Sequence, residues 1–380
     1  MRHALLLIII LVFSACTTAA AYDFTPGASL SLSGEYNDNV FLAKTAKKSD
    51  FITYVTPSAY FSLGSGNAQL SGNYSPSFSY YSSHSDLNKL SHSADVQGLL
   101  SLSDKTSVTL NDAFVLSNEP QSLSAFQDLG PIRNKVERRV NNLSSSISCK
   151  IRDNLVYLLG GSYLDTDFKG AGMNDAKTYS GNMSVTYMSS ERSSFSITAR
   201  YTKYNYTITN DAQSQDYTLG ATHKLTPTLS VGITGGVSNT KVENTGKQTS
   251  GFSGGADVSK GFEKGNATLS FRQSVVPGLE DGVPLRSQVI SLSLSRNITN
   301  LLNASALASY TKYKSSGTAA NDSDEARLGA NMLYNINSWA GLSLSYNFVD
   351  FKDKVDSARD YKNNIVMLSL RLNYRISQGK

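Results

Sequence analysis

The feature that most restricts the fold is a regular alternation of apolar and small polar residues in many short segments. In Ser291-Leu292-Ser293-Leu294-Ser295, and again in Gln69 to Ser75, every second residue is polar. Successive side chains of a strand point to opposite faces, so each segment has one apolar face and one wet face. Many apolar positions hold Ala, Gly or Tyr, whereas the core of a soluble β-sandwich is filled by large aliphatic residues. The pattern therefore favours strands whose apolar face contacts lipid.

The composition agrees with such strands. The chain is 40% hydrophobic with a mean hydropathy of -0.25, too polar for a helical membrane protein, while 21 Tyr and 15 Phe are too many for a disordered one. Only every second residue of a transmembrane strand faces lipid, which keeps the average hydropathy low. The net charge of +5 includes no long basic block, so no nucleic-acid partner is predicted.

The N-terminus predicts export. Met1-Arg2-His3 is a short basic start, residues 4–15 form an apolar core, and Ala19-Ala20-Ala21 is a small-residue cleavage site. We predict a signal peptide over residues 1–21 and a single barrel domain over residues 22–380. No later segment has the apolar length of a transmembrane helix.

An alternative for the same segment is lipidation at Cys16, because Phe13-Ser14-Ala15-Cys16 resembles a lipobox. In either case Cys149 is the one other cysteine of the chain. If Cys16 is removed with the signal peptide, no intrachain disulfide can form.

Turns set the organisation of the chain. Short polar clusters such as Ser65-Gly66-Asn67 and Glu263-Lys264-Gly265 recur roughly every 35 to 50 residues, and longer polar segments lie between them. Outer-membrane barrels have short periplasmic turns on one rim and longer extracellular loops on the other. Eight turns and nine loops predict an all-β fold, a closed antiparallel transmembrane β-barrel of about 18 strands, with 16 as the alternative.

Closure of this barrel is required in lipid, because an open edge would leave backbone groups without hydrogen bonds. The last strand, with Val366 to Tyr374 outside, should therefore pair with Ala28 to Tyr36. The pairs Gly160-Gly161, Gly235-Gly236 and Gly254-Gly255 predict bends or close backbone approach in the wall.

Aromatic residues near the predicted strand ends are candidates for the girdles at the membrane interfaces. These candidates are Tyr36, Tyr80, Tyr81, Tyr187, Tyr204, Tyr206, Tyr310, Tyr313, Tyr334 and Trp339.

Charged residues in the polar register are candidates for the lumen. Arg200, Arg272 and Arg371 should lie at similar depth inside the barrel, and Arg375 is a further inward candidate in the last strand. Such charges favour passage of anions or acidic polymers. The alternative is neutralisation by a neighbour. Asp257 should lie almost opposite Arg272 across a turn, which favours neutralisation for that arginine and leaves Arg200 and Arg371 open.

The longest loop, residues 120–138, combines apolar and charged residues. Its candidate constriction residues are Pro120, Phe126, Pro131, Arg133 and Lys135. Two interpretations stay open: a loop that folds into the lumen and narrows it, or a disordered external loop.

No catalytic or metal-binding pattern is present. His84, His92 and His223 have no Cys, Asp or Glu at metal-ligand spacing, and no Gly-x-Ser-x-Gly segment occurs. We therefore predict a protein that is not an enzyme, with no metal and no cofactor.

The first strands carry a family resemblance. The segments Tyr22 to Pro26, Glu35 to Phe41 (Glu-Tyr-Asn-Asp-Asn-Val-Phe) and Asp50 to Thr53 with Pro57 resemble the start of the putative beta-barrel porin 2 family. The resemblance implies a large outer-membrane barrel. Because several members are associated with exopolysaccharide secretion, it also implies a role in moving polymer outward. The chain ends in Ile376 to Lys380, where barrel proteins usually end in an aromatic residue that the assembly machinery reads.

Two functions follow from these expectations. An 18-strand barrel leaves an aqueous channel, so the first is a porin-like channel of a Gram-negative outer membrane for hydrophilic solute or polymer, as in exopolysaccharide export. The second is a non-conducting barrel that serves as a sheath or docking platform for a periplasmic partner. Expected partners are outer-membrane lipid, the barrel assembly machinery and a polysaccharide-export or other periplasmic protein. The solute and the oligomeric state are not determined by the sequence.

Overall fold

The computed structural model of the chain describes residues 23–118, 136–169, 174–243, 246, 248–276, 283–315 and 322–375. These residues form 18 strands and two short 3-10 turns, Ser85–Leu87 and Ser357–Arg359. The strands are β1 (Asp23–Asn37), β2 (Asp50–Gly64), β3 (Ala68–Tyr81), β4 (Lys89–Ser103), β5 (Thr106–Ser117), β6 (Arg138–Arg152), β7 (Leu155–Phe168), β8 (Ala176–Met188), β9 (Ser193–Tyr206), β10 (Ala212–Thr226), β11 (Leu229–Val242), β12 (Gln248–Phe262), β13 (Gly265–Val276), β14 (Leu285–Asn297), β15 (Leu302–Ser315), β16 (Asp322–Asn335), β17 (Ala340–Asp353) and β18 (Tyr361–Arg375).

Each strand pairs antiparallel with the next, and β1 also pairs with β18. That last ladder runs from Gly27 opposite Arg375 to Asn37 opposite Ile365. The predicted closed barrel of 18 strands is confirmed, and so is the predicted pairing of the last strand with the first. No helix in the described part of the chain is long and apolar enough to cross a membrane.

The alternation in the sequence separates the two faces of the wall. The outward row of a strand, made of the residues that point away from the lumen, carries exposed apolar side chains, such as Ile197 on β9 opposite Leu219 on β10. Inward rows carry hydroxyl groups that bond across strands, such as Ser184 with Thr198 at 3.0 Å. An outward apolar side chain is stabilised only if acyl chains cover it, so this face fits a lipid bilayer.

The tyrosines divide between the two faces. Tyr36, Tyr80, Tyr187, Tyr310 and Tyr334 lie in outward rows and are exposed, and Trp339 is exposed beside a turn. The girdle prediction is wrong for Tyr81, Tyr204, Tyr206 and Tyr313, which lie in inward rows. A shift of one residue along a strand moves a side chain to the other face, so nearness to a strand end does not fix orientation.

Two predicted glycine pairs lie where backbones approach closely. Gly254 has φ +153°, and a Cβ atom there would overlap the carbonyl oxygen of Thr234 on β11. A Cβ atom at Gly236 would overlap the carbonyl oxygen of Tyr217 on β10. The predicted close approach is confirmed at Gly235-Gly236 and Gly254-Gly255.

Residues 1–22 lie outside the described residues. The signal peptide, its cleavage site and the alternative lipidation at Cys16 therefore stay predictions.

Candidate permeation pathway

The interior of the barrel changes character along its axis. At the extracellular ends of the strands, inward side chains are buried: Ile52 is 0% exposed, Glu325 3% and Ile365 2%. An apolar cluster of Val115, Val140, Ala176, Tyr204, Tyr206 and Ala212 lies at this end, on β5 to β10. The inward rows are therefore closely packed near the outside of the cell.

Exposed charges begin directly below this packed zone. On β9 the inward residues Thr202 and Tyr204 are buried, whereas Arg200, next in the same row, is exposed to the lumen. Arg272 on β13 and Arg327 on β16 are likewise exposed below buried neighbours, Val276 and Glu325. The arginines thus lie at the boundary between packed and open lumen.

A cavity of about 710 Å³ lies at this level, lined by Arg200, Asp216, Asp257 and Arg272 together with Ser, Thr and Asn side chains. Asp216 on β10 is directly opposite Arg200, and Asn182 flanks that arginine on β8. Facing cross-strand pairs of opposite charge attract, so Arg200 has a matching anion beside it.

Arg272 is placed differently. Its cross-strand partners are Gly255 and Val289, while Asp257 lies opposite Ser270 and Gly232. The Asp257 carboxylate occupies the space that a side chain at Gly232 would fill, so it leans toward β11 and away from Arg272 on β13. Within the described residues, Arg272 forms no ion pair with this aspartate.

The two remaining lumenal candidates lie nearer the periplasmic rim. Arg371 is exposed in the inward row of β18, and its Nε donates to Asn373 Oδ1 at 3.0 Å. Arg375 is opposite Gly27 of β1 in the ladder that closes the barrel. The five sequence candidates therefore separate into three around the cavity and two below it.

Sequence reasoning missed three other charged residues of the inward rows. One is Asp216. The other two are Arg327 and Glu325 on β16, which form an ion pair with Nε and Oε1 2.5 Å apart. The alternation of the sequence places these residues in polar rows. Which of them lie opposite each other depends on the register between neighbouring strands, which the alternation does not give.

The candidate constriction residues Pro120, Phe126, Pro131, Arg133 and Lys135 lie outside the described residues. Their role in narrowing the lumen stays a prediction. Among the residues that the structure describes, no group of three or more His, Cys, Asp or Glu side chains is placed to hold a metal ion.

The segment that carries the family resemblance forms the first extracellular loop, residues 38–49, and fastens it to β18. Asp38 accepts hydrogen bonds from the backbone N–H and side-chain amide of Asn364, both at 2.7 Å. The Asn39 side chain donates to the carbonyls of Ala43 at 2.8 Å and Lys362 at 2.9 Å. We call this set of contacts the loop clasp; it joins the first and last hairpins of the closed barrel.

One protein family matches most of this chain. The putative beta-barrel porin 2 family matches residues 21–140 and 220–374, far more than the first eighty or so residues that carry the motif. The chain belongs to this family. No curated protein matches it in sequence.

Solved structures show the same fold. The barrel is similar to OpdK of Pseudomonas aeruginosa, with TM-score 0.51, 11% identity and coverage of 92% of this chain and 99% of that one. It is also similar to OccK2 (OpdF) of the same species in complex with glucuronate, with TM-score 0.50, 11% identity and coverage of 92% and 98%. OccAB4 of Acinetobacter baumannii gives the same values as OccK2. At this identity the likeness concerns the fold.

The family and the fold place this porin in the outer membrane, with its apolar rows in lipid. Porins are channels rather than enzymes. The architecture is therefore that of a porin-like barrel, similar to outer-membrane channels of the Occ and Opd groups.

Proposed function

We propose that this porin is a diffusion channel for small hydrophilic solutes, and that the charges around the lumenal cavity select among them. The observation that carries the proposal is the level of exposed charge directly below the packed extracellular end. Arg200 faces Asp216, whereas Arg272 faces no acid directly, so the local field near Arg272 favours anions.

Small carboxylates are the first solutes to test. The solved relatives include OpdK with vanillate and OccK2 with glucuronate, and both ligands are carboxylates. A carboxylate would meet the Arg272 guanidinium, whose donor geometry suits it. A hydroxylated solute would also meet the Ser and Thr side chains of the inward rows.

The test is the current through single channels in a planar bilayer with a salt gradient. We expect Arg272→Ala to move the reversal potential toward cation preference, because it removes a cation that lines the cavity and has no directly facing acid. Arg200→Ala should move it less, since Asp216 already offsets that charge. Arg192→Ala is the control, because Arg192 lies in the short turn before β9 and outside the cavity lining.

Unchanged selectivity in Arg272→Ala would exclude the cavity as the determinant of selectivity. A purified barrel that conducts nothing would instead support the alternative, a sheath or docking platform for a periplasmic partner.

Export of an exopolysaccharide is the finer form of the proposal. A second hollow of about 330 Å³ beside the cavity supports it, because it is lined by hydroxyl, amide and glycine residues without a charge, among them Thr109, Asn111 and Ser144. Neutral oligosaccharides of graded length are added to one side of the bilayer. Each one that enters the lumen should reduce the ion current while it occupies the channel. If only monosaccharides reduce it, the lumen does not accept polymer.

A further inference from the structure

The wall of the barrel is interrupted between β12 and β13. Their ladder runs from Phe262 opposite Gly265 to Gly254 opposite Gln273 and ends there, although β12 begins at Gln248 and β13 continues to Val276. The neighbouring ladders are longer: β11 pairs with β12 up to Gln248, and β13 pairs with β14 up to Val276. We call the unpaired upper part of β12 and β13 the seam.

Side chains bridge the seam in place of the backbone. Gln273 Nε2 donates to the Phe252 carbonyl at 2.6 Å, and Gln288 Nε2 donates to Gln273 Oε1 at 2.6 Å. Gln273 and Gln288 face each other in the same outward row as Phe271 and Ile290. Polar side chains in an outward row are otherwise costly in lipid. Here Gln273 satisfies a backbone carbonyl that the ladder leaves open, and Gln288 satisfies the side-chain oxygen of Gln273.

Arg286 bridges the same seam from β14. Its guanidinium occupies the space that a side chain at Gly251 would fill, and its Nη2 lies 3.5 Å from the Ser250 carbonyl oxygen. Arg286 belongs to an outward row, whereas Gly251 belongs to an inward row. A contact between these two faces means that the upper part of β12 overlaps the outer side of β13 and β14.

The lumenal cavity extends into this overlap. Its lining includes Arg272 from the inward row of β13 and also Phe271 and Val275 from the outward row of the same strand. On β9, by contrast, the lining includes residues of the inward row alone, Thr198, Arg200, Thr202 and Tyr204. A cavity that borders consecutive residues of β13, from Ser270 to Val275, reaches the edge of that strand as well as its inward face. Gly254, with φ +153°, lies at the end of the ladder, where the upper part of β12 leaves β13.

From these contacts we infer that the seam is a lateral portal between the lumen and the outer face, and that its ligand is a single-chain amphiphile with an anionic headgroup. The cavity offers the Arg272 guanidinium to the headgroup. Phe271 and Val275 offer an apolar surface to the tail, and the tail continues into the surrounding acyl chains. A wholly hydrophilic solute would gain nothing from this route, because the portal leads from water into lipid.

The test compares two adjacent positions on the outer face. Phe271 and Ile290 are directly opposite each other on β13 and β14, at the same height and on the same side of the wall. Each is changed to cysteine in a Cys149→Ser background, and the full-length protein is placed in phospholipid vesicles. A charged, membrane-impermeant thiosulfonate is then added, and the rate of thiol modification is measured with and without dodecanoate.

We expect the cysteine of Phe271→Cys to be modified at least roughly tenfold faster than that of Ile290→Cys, because only a thiol in contact with water is accessible to a charged reagent. Dodecanoate should slow modification at position 271, and butyrate at the same concentration should not. Equal rates at the two positions, or no protection by dodecanoate, would overturn the portal.

A second pair keeps the test decisive if Phe271→Cys does not assemble into a heat-modifiable barrel. Val275→Cys is then compared with Val237→Cys, in the outward row of β11 within an intact ladder to β10. Val237 is opposite Phe252, which Val275 would also face if the β12–β13 ladder continued, so the two positions lie at a similar height. The portal is tested by thiol modification and the diffusion channel by bilayer current. Either proposal can therefore be contradicted without affecting the other.

Discussion

The properties of the charged residues in this porin follow from what lies directly across from each one. Arg200 faces Asp216, Arg327 is paired with Glu325 on its own strand, and Arg272 faces Gly255. Removal of an arginine therefore changes the lumenal field most where no acid compensates it. This is why Arg272, rather than Arg200, is the residue expected to govern ion preference.

A charged residue at the extracellular rim predicts a pH dependence. Glu137 precedes β6, above the membrane-spanning part, and accepts hydrogen bonds from Lys169 and Lys89, which lower the pKa of this carboxyl from its ordinary 4.5. A lowered pKa stabilises the folded state above the unfolded value, and this stabilisation is lost as the pH falls through the folded value.

We therefore expect Glu137→Gln to lower the unfolding temperature at about pH 7 and to lower it less at about pH 3, because protonation of the carboxyl as the pH falls removes the ion pairs that the variant also lacks. Thermal unfolding followed by gel mobility at the two pH values measures this. A difference of equal size at both values would show that the ion pairs do not stabilise the rim.

The surroundings of Gly254 leave no room for a side chain. Its φ of +153° disfavours any residue with a side chain, and a Cβ atom would overlap the Thr234 carbonyl oxygen. Gly254→Ala should cost about 1–3 kcal/mol in the free energy of unfolding. The control is Gly181→Ala, since no heavy atom lies within 4 Å of a Cβ at Gly181. Urea unfolding in vesicles measures the free energy of unfolding of both variants. If the two lose the same stability, the steric explanation for Gly254 is wrong.

Among the strands and loops, the first loop shows what the family motif does structurally. Asn37 and Asn39 organise the turn, because Asn37 Oδ1 accepts from the Asn39 N–H at 3.0 Å, and Asp38 joins the turn to Asn364 on β18. These side chains stabilise the ladder in which the two ends of the chain meet. The motif is thus explained by closure of the barrel rather than by contact with a solute.

The loop clasp gives a prediction of its own. Asp38→Ala removes two hydrogen bonds to a charged acceptor and should cost roughly 1–3 kcal/mol in the free energy of unfolding. Asp104→Ala, in the exposed turn between β4 and β5, is the matched control. The temperature at which the folded band disappears on a gel should fall for Asp38→Ala alone. If Asp38→Ala and Asp104→Ala unfold at the same temperature, the loop clasp does not stabilise the pairing of β1 with β18.

Strand number, closure and the two faces of most strands could be predicted from the sequence, because side-chain alternation and turn residues are local signals. The β1–β18 pairing followed from the need to leave no open edge. The environment of Arg272 could not be predicted to the same detail. It depends on the register between β12 and β13 and on the missing side chain at Gly232, which lets Asp257 lean away.

The seam could not be predicted either. Gln273 and Gln288 interrupt the apolar pattern of β13 and β14, but such an interruption also occurs at ordinary strand ends above the membrane. Only the end of the ladder at Gly254 shows that these side chains replace backbone pairing. The orientation of Tyr81, Tyr204, Tyr206 and Tyr313 was missed for a related reason, since it depends on a shift of one residue.

For the barrel as a whole, the division into outward and inward rows predicts opposite tolerance of charge at neighbouring positions. Leu368 lies at the middle of β18, is 50% exposed and points outward, between Gly34 and Leu344. Leu368→Arg should destabilise the barrel by about 2–4 kcal/mol, the cost of a cation on the lipid face near the midplane.

Ser369→Arg is the matched comparison, because Ser369 faces the lumen between Ser33 and Ser343. It should leave stability nearly unchanged and alter ion preference instead. Urea unfolding in vesicles and bilayer currents separate the two effects. If the two variants lose equal stability, the assignment of the rows to lipid and water is wrong.

The packed extracellular end also determines where a voltage applied across the membrane acts. Resistance is greatest where the water column is narrowest, so most of the potential falls across the buried inward side chains above Arg200. The guanidinium groups lie on the periplasmic side of that drop, where they enrich anions on one side only. Current carried by anions should therefore be larger in one direction than in the other, and the barrel should rectify even in symmetric salt.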